Sequence, residues 1–221
     1  MFHSPYVSAG FSPINISIID SNSKNTCIII NEKVLEFSNS KKLPNLNILI
    51  FIIYTRSNMG RAEKNILGQN ASMIIDMLKR AYCDEMQIFH YFWYIGINME
   101  GIGLVTYAPA LKTQATSELT HGELLSDRIS ELGDKAPSDP AVWKTQGTIG
   151  TLDPGQYLTL RAALEKGLEF EGKAVENYNN LAKKALEVND FVTYNLATQI
   201  LADEVKDEQH TEDVLKHLEI K

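Results

Sequence analysis

Between residues 63 and 98, apolar side chains return every three or four positions. Leu78, Ala81, Tyr82, Ile88, Phe89, Phe92 and Trp93 form one stripe, the signature of an amphipathic helix with a buried face. The spacing predicts a helix from about Glu63 to Asn98, closed by the glycines of MEGIG. A second helix is expected after Pro109, through LKTQATSELTHGELLSDRISEL to Gly133, a residue suited to a helix C-terminus. The stretch DKAPSDPAVWKTQGTIGTLDPG then reads as a long connection. Asp153 and Pro154 read as the N-cap and first-turn proline of a third helix reaching about Val188, whose stripe is Leu160, Leu164, Leu168, Val175, Tyr178 and Ala182. Asp190 is the expected cap of a fourth helix that continues to the C-terminal region. The pattern is an all-α, four-helix bundle with a long crossover between helices 2 and 3.

Upstream of residue 58 the pattern changes. Asn, Ser and Ile are abundant there, with short β-branched runs such as NISII and TCIII, whereas Ala, Leu, Glu and Lys dominate afterwards. Residues 1–57 are expected to be a separate non-helical appendage, either two or three short strands or without fixed structure, and 58–221 the bundle. Met59 is an alternative start, in which case the appendage would be an extended reading frame. His3 is a lone, solvated histidine in this reading.

Composition narrows the function classes. At 221 residues and 44% hydrophobic, the chain can bury one sizeable core. Lys and Arg number 21 against 28 Asp and Glu, for a formal charge of −7. No basic block offsets that balance, which disfavours direct nucleic-acid binding. Cys27 and Cys83 have neither CxxC spacing nor the density of a disulfide-stapled secreted domain, so a reducing cytoplasmic setting is expected. The start MFHSPYVSAGFSPIN lacks the charge and apolar run of a secretory signal. The apolar window ILIFIIY, 48–54, is far short of the ~20 residues that span a bilayer.

Two carboxylates break the apolar stripes. Glu85 sits in the first and Glu171 in the third, positions where an acid is costly to bury unless protonated, paired or bound to a metal. The stretch SELTHGE adds Glu118 and His121, three apart and therefore on one helical face. Alone, that pair reads as solvated. The register changes the reading: 33 positions separate Glu85 from Glu118, and again Glu171 from Glu204. The two halves are offset by 86, which matches His121 with Asp207. A pseudo-two-fold bundle would bring all six side chains to its centre, as in a carboxylate-bridged di-metal site. Glu118 and Glu204 would bridge, Glu85 and Glu171 would be terminal ligands, and His121 would give a nitrogen to one ion. Oxygen-rich coordination with one imidazole suits iron or manganese better than structural zinc. Five carboxylates carry about −5 against +4 for two divalent ions.

The residues DEMQIFHYFW around Glu85, SELTHGELLSDRISELG around Glu118 and His121, LEFEGKAVENY around Glu171 and ILADEVKDEQHTEDVL around Glu204 resemble the ferritin-like superfamily, close to bacterioferritin and archaeal Dps-like ferritins, over about residues 62–218. The resemblance implies oxidation of two Fe ions by dioxygen or peroxide and storage of iron in a homo-oligomeric shell of 12 or 24 subunits. Manganese is the alternative metal, and no haem ligand is assignable. One departure stands out: the family's second Glu-x-x-His would place histidine at 207, where this chain has Asp207. His210, one turn on, is the alternative ligand. In the family an Asp preceding each bridging Glu often orients the opposite histidine. Asp203 is so placed for His121, whereas Ser117 stands where the second orienter would be. An asymmetric site is therefore expected, tighter near His121 and weaker near Asp207.

Blander readings accompany these. Glu169 competes with Glu171, and Asp207 with a surface acid in an acidic run. His90 reads as an interface or core histidine, and His217 as a surface one. Tyr82 and Tyr178 read as packing residues within reach of ligand carboxylates, and Met73, Met77 and Met86 as packing. A thiol-containing branch of the family carries paired cysteines near the metal, and Cys83 has no evident mate. Besides the ferroxidase, a di-iron or di-manganese peroxidase or oxidase without iron storage, and a non-catalytic bundle, fit the same sequence.

Overall fold

A computed structural model describes residues 16–21, 25–30, 33–38 and 59–218. His3 and the apolar window 48–54 lie outside the described residues. The chain divides into two units, 1–55 and 56–221. In the first, β1 (Ile16–Ser21), β2 (Asn25–Ile30) and β3 (Lys33–Ser38) form an antiparallel sheet in chain order, with Ile16 opposite Ile30 and Asn25 opposite Ser38.

The second unit is a helical bundle. Its elements are α1 (Arg61–Leu67), α2 (Ala71–Asn98), α3 (Gly103–Thr106), α4 (Ala108–Glu131), α5 (Pro140–Gln146), α6 (Leu160–Glu187) and α7 (Phe191–Leu218). The four long helices pair as α2 with α4 and α6 with α7, and α2 also packs on α6. Among the described residues no helix is long and apolar enough to cross a membrane.

The structure departs from the periodicity at three places. The expected first helix is interrupted at Gly68, whose φ of +50° lies in the left-handed region that glycine tolerates, and a 3₁₀ turn, Gly68–Asn70, joins α1 to α2. The third long helix starts at Leu160 rather than after Pro154. Thr159 caps it by accepting from Ala162 N, while Asp153 and Pro154 open only a 3₁₀ turn, Pro154–Gln156. The long connection contains α5, capped by Asp139 with proline in its first turn. Asp190 does cap α7, accepting from Thr193 N at 3.0 Å.

Two apolar clusters fill the bundle. One gathers Ile74, Leu78, Leu125, Ile129, Leu181 and Ile200, and the other Ile88, Tyr91, Ile95, Leu111, Ala115 and Phe170. Trp93, expected in the stripe, is 44% exposed and outside both. Glu85, Glu118 and Glu171 fall in sequence between members of the two clusters and Glu204 follows Ile200, so a layer of acids interrupts the core at mid-height. A carboxylate, Asp84, fixes the crossover against α2. It accepts from Thr148 N (2.7 Å), Thr148 Oγ1 (2.7 Å) and Ile149 N (3.2 Å).

Candidate metal centre

Each long helix contributes to the acid layer. Glu85 comes from α2, Glu118 and His121 from α4, Glu171 from α6, and Glu204 and Asp207 from α7. The three-residue spacing puts Glu118 beside His121, and Glu204 beside Asp207, on inward faces. Glu85, Glu118, Glu171, Glu204 and His121 are all buried, the four acids at 0–1% exposure. Asp207 is half-buried and His210 exposed. Glu169 points outward to Lys166, so the buried acid of LEFEG is Glu171.

Donor atoms of Glu85, Glu118, His121 and Glu204 lie within 4.8 Å of one another. His121 Nδ1 is 2.9 Å from Glu204 Oε1, 3.5 Å from Glu118 Oε2 and 3.7 Å from Glu85 Oε2. Ligands about 2.1 Å from one first-row ion are at most ~4.2 Å apart, so each of these separations fits a single ion. Glu171 and Asp207 are not part of this tight group.

The donor atoms lack protein partners. Oε2 of Glu85, Oε2 of Glu118, Nδ1 of His121, Oε2 of Glu171 and both carboxylate oxygens of Glu204 are buried with no hydrogen bond. A buried polar group costs about 1–3 kcal/mol when left unpaired, and six in one layer call for a shared partner. A divalent cation meets that requirement: hard oxygen donors with one imidazole form a ligand set of the iron or manganese type.

Electrostatics without a cation point the same way. Burial, followed by the charge of Glu204, pushes the Glu85 carboxyl up. Burial raises Glu118 and Glu204 into or above the neutral range, and carries Glu171 well above the usual carboxylate range with Glu118 and Glu204 adding to the effect. Burial opposes protonation of His121, but the adjacent Glu118, Glu204 and Glu85 outweigh it and hold the imidazolium up to about 12. The apo centre therefore stores protons that a metal would replace.

Neighbouring groups orient the ligands. Tyr178 hydroxyl donates to Glu85 Oε1, fixing that carboxylate so that Oε2 faces the centre. His121 Nε2 faces Asp203 Oδ2 at 4.0 Å, and Asp203 also pairs with Lys206 at 2.8 Å. Tyr82 is half-buried beside the cluster that contains Leu78 and Leu125, and near Gly122. His90 is exposed, with its ring tilted against that of Tyr94 at a centroid distance of 6.1 Å, and is not in the core, and His217 is exposed on α7. Cys83 is buried with its sulfur 3.8 Å from Gln146 Oε1.

Gln114 was not among the expected site residues. Its Nε2 donates to Glu118 Oε1 at 2.6 Å and Asp207 Oδ2 at 2.9 Å, and lies 3.5 Å from Glu171 Oε1. Its position four residues before Glu118, on the same helical face, is the signal that marks it. Asp84 also escaped notice, because its partners lie 64 and 65 residues away in a connection without periodicity.

No curated protein matches the chain in sequence. Among solved structures, a dodecameric thioferritin, the bacterioferritin-related protein of Bacteroides fragilis, superposes with a TM-score of 0.67 at 24% identity, over 72% of this chain and 95% of its own. The bacterioferritin of Desulfovibrio desulfuricans gives 0.59 at 22% identity, over 67% and 81%. A Dps from Thermosynechococcus elongatus gives 0.60 at 16%, over 70% and 94%. At such identities the likeness establishes the fold. Residues 75–220 match the ferritin-like domain family, about two thirds of the chain, and the chain belongs to that family.

Proposed function

We propose that this protein binds ferrous iron as substrate at the mid-bundle centre, oxidises it with dioxygen or peroxide, and retains the ferric product in a shell of 12 or 24 copies. The observation that carries the reading is the convergence of six buried, partnerless donor atoms from four helices. In this reading Glu85, Glu118, His121 and Glu204 hold the first ion, and Glu118, Glu204, Glu171 and Asp207 the second. Two ferrous ions each lose one electron, and one dioxygen accepts both with two protons to give hydrogen peroxide. Tyr178 keeps Glu85 turned inward, Asp203 sets the orientation of His121, and the apolar clusters above and below keep bulk water out. A 12-subunit neighbour of the same fold supports the shell.

Stopped-flow oxidation of ferrous iron tests the reading. Wild type should exceed buffer and Glu118→Ala should not; equal rates for all three would remove the oxidase assignment.

One observation favours a second reading. A cavity of about 320 Å³, walled by Phe92, Leu111 and Leu164, adjoins Gln114 and Asp207. Its volume sits at the small end of ligand sites, as for a di-iron or di-manganese peroxidase or oxidase of a small organic molecule without storage. Size-exclusion and iron loading discriminate. A shell retaining hundreds of iron atoms supports storage, and a dimer that retains none supports the oxidase.

A further inference from the structure

We infer that the Gln114 carboxamide occupies the second metal position, so that the centre takes one divalent cation at once and a second only after Gln114 swings aside. The inference rests on the metal-binding reading above and adds the order and control of loading.

One amide nitrogen faces carboxylates from three helices: Glu118 on α4 at 2.6 Å, Asp207 on α7 at 2.9 Å and Glu171 on α6 at 3.5 Å. An –NH₂ group has two hydrogens, so a third acid oxygen at that range is drawn by charge more than by a directed bond. The arrangement is that of a positive point in an oxygen cage. Turning the amide over would set its carbonyl against three acids, so the acids dictate its orientation. Oε2 of Glu171 and of Glu204 are buried and without a partner in the same layer. The cage thus has more acceptor capacity than one amide can satisfy.

The internal register supports a specific trade. An offset of 86 relates His121 to Asp207 and Gln114 to Ile200. The half that lacks an imidazole has Ile200 one turn before its bridging acid, fully buried and unable to donate or accept. The half that keeps His121 has a donor, Gln114, at the matching place, and that donor reaches Asp207, which stands where the other half would carry its imidazole. The tight four-donor group that closes on one ion gathers around His121 and leaves out Asp207 and Glu171. Gln114 also has somewhere to go: it lines the cavity of about 320 Å³ that it shares with His210 and Thr211. The second ion would arrive through that cavity, past Asp207, and displace the amide nitrogen from its three acids.

The test is stoichiometry rather than turnover. Metal-free, full-length protein is titrated anaerobically with Co(II), read by calorimetry and by the cobalt d–d bands. Wild type should take one tight equivalent per chain and a second about 10–100-fold weaker, the range by which a hydrogen-bonding neighbour moves metal affinity. Gln114→Ala should tighten the second step by at least ~10-fold and leave the first unchanged. Gln114→Glu, which replaces the donor with a further ligand oxygen, should tighten it more, and it guards against a folding defect peculiar to the alanine variant. Two equivalents of equal affinity in wild type, or a second step untouched by both substitutions, overturns the role of Gln114 while leaving metal binding intact. No cobalt bound by any of the three proteins overturns the metal reading itself.

Discussion

Nδ1 of His121 stands 2.9 Å from Oε1 of Glu204. An imidazole lone pair and a carboxylate lone pair at that separation repel unless a proton or a cation lies between. The centre is therefore a site where protons and metal compete for the same lone pairs.

The pH dependence follows with a definite sign. Glu85, Glu118, Glu171 and Glu204 are raised by burial, and His121 is raised by its acidic neighbours. For a group raised on folding, stability is present below the unfolded value and lost as pH climbs through the folded one. All five act in one direction, so the metal-free protein should melt at a higher temperature near about pH 5 than near about pH 8. Added Mn(II) or Co(II) should raise Tm more at the higher pH, because fewer protons must leave. Thermal melts with and without metal check both signs; a metal-dependent rise that is larger in acid would contradict the proton–metal exchange.

Neutralising one acid should separate metal binding from folding. Glu118→Gln replaces a carboxyl that burial holds toward its neutral form with a neutral group of the same volume, so the metal-free variant should melt no lower than wild type. A ligand at 100 times its Kd stabilises by about 2.7 kcal/mol, and this metal-dependent increment should vanish in the variant. Calorimetry with and without Co(II) measures it.

Loss of the Tyr178 hydroxyl should weaken the first ion. Tyr178→Phe frees Glu85 Oε1, leaving the carboxylate to rotate, and metal affinity should fall about 10–100-fold. A competitive titration against a chelator of known strength reads the change, and an unchanged affinity would reduce Tyr178 to a packing residue.

Arg128 predicts a defect in stability alone. Its guanidinium, 4% exposed, pairs with Asp190 at 2.9 Å and Glu63 at 2.6 Å and donates to Thr193 Oγ1 at 2.8 Å, tying α1 and α4 to the α6–α7 corner. Arg128→Ala leaves Asp190 buried without its cation, and should cost about 3–5 kcal/mol in urea unfolding. Co(II) stoichiometry should stay as in wild type.

The bundle was legible because its signals are local and periodic. Leu78, Ile88 and Leu164 mark faces that any helix of that spacing must bury, and a carboxylate recurring at the same offset in two halves is hard to reconcile with a solvated surface. The start of α6 was misplaced because Asp153-Pro154 is an equally good opening for a 3₁₀ turn, and the weaker cap Thr159 won through the parallel bridge between Glu100 and Thr159. Trp93 follows the stripe by spacing yet lies at its margin, where a fraction of a turn decides between core and surface. Gln114 carries only a faint mark, its place one turn before Glu118, for a different reason. A neutral amide carries no charge signal, and its importance comes from three acids on other helices.

The grip of Asp84 on Thr148 and Ile149 has an architectural consequence. Two hairpins of nearly equivalent sequence register could dock in more than one mutual orientation, or the second hairpin of one molecule could cross to another copy. A connection pinned at its midpoint to α2 shortens the usable tether and penalises both exchanges. One carboxylate in the first hairpin thereby helps decide which second hairpin it accepts, and which way up.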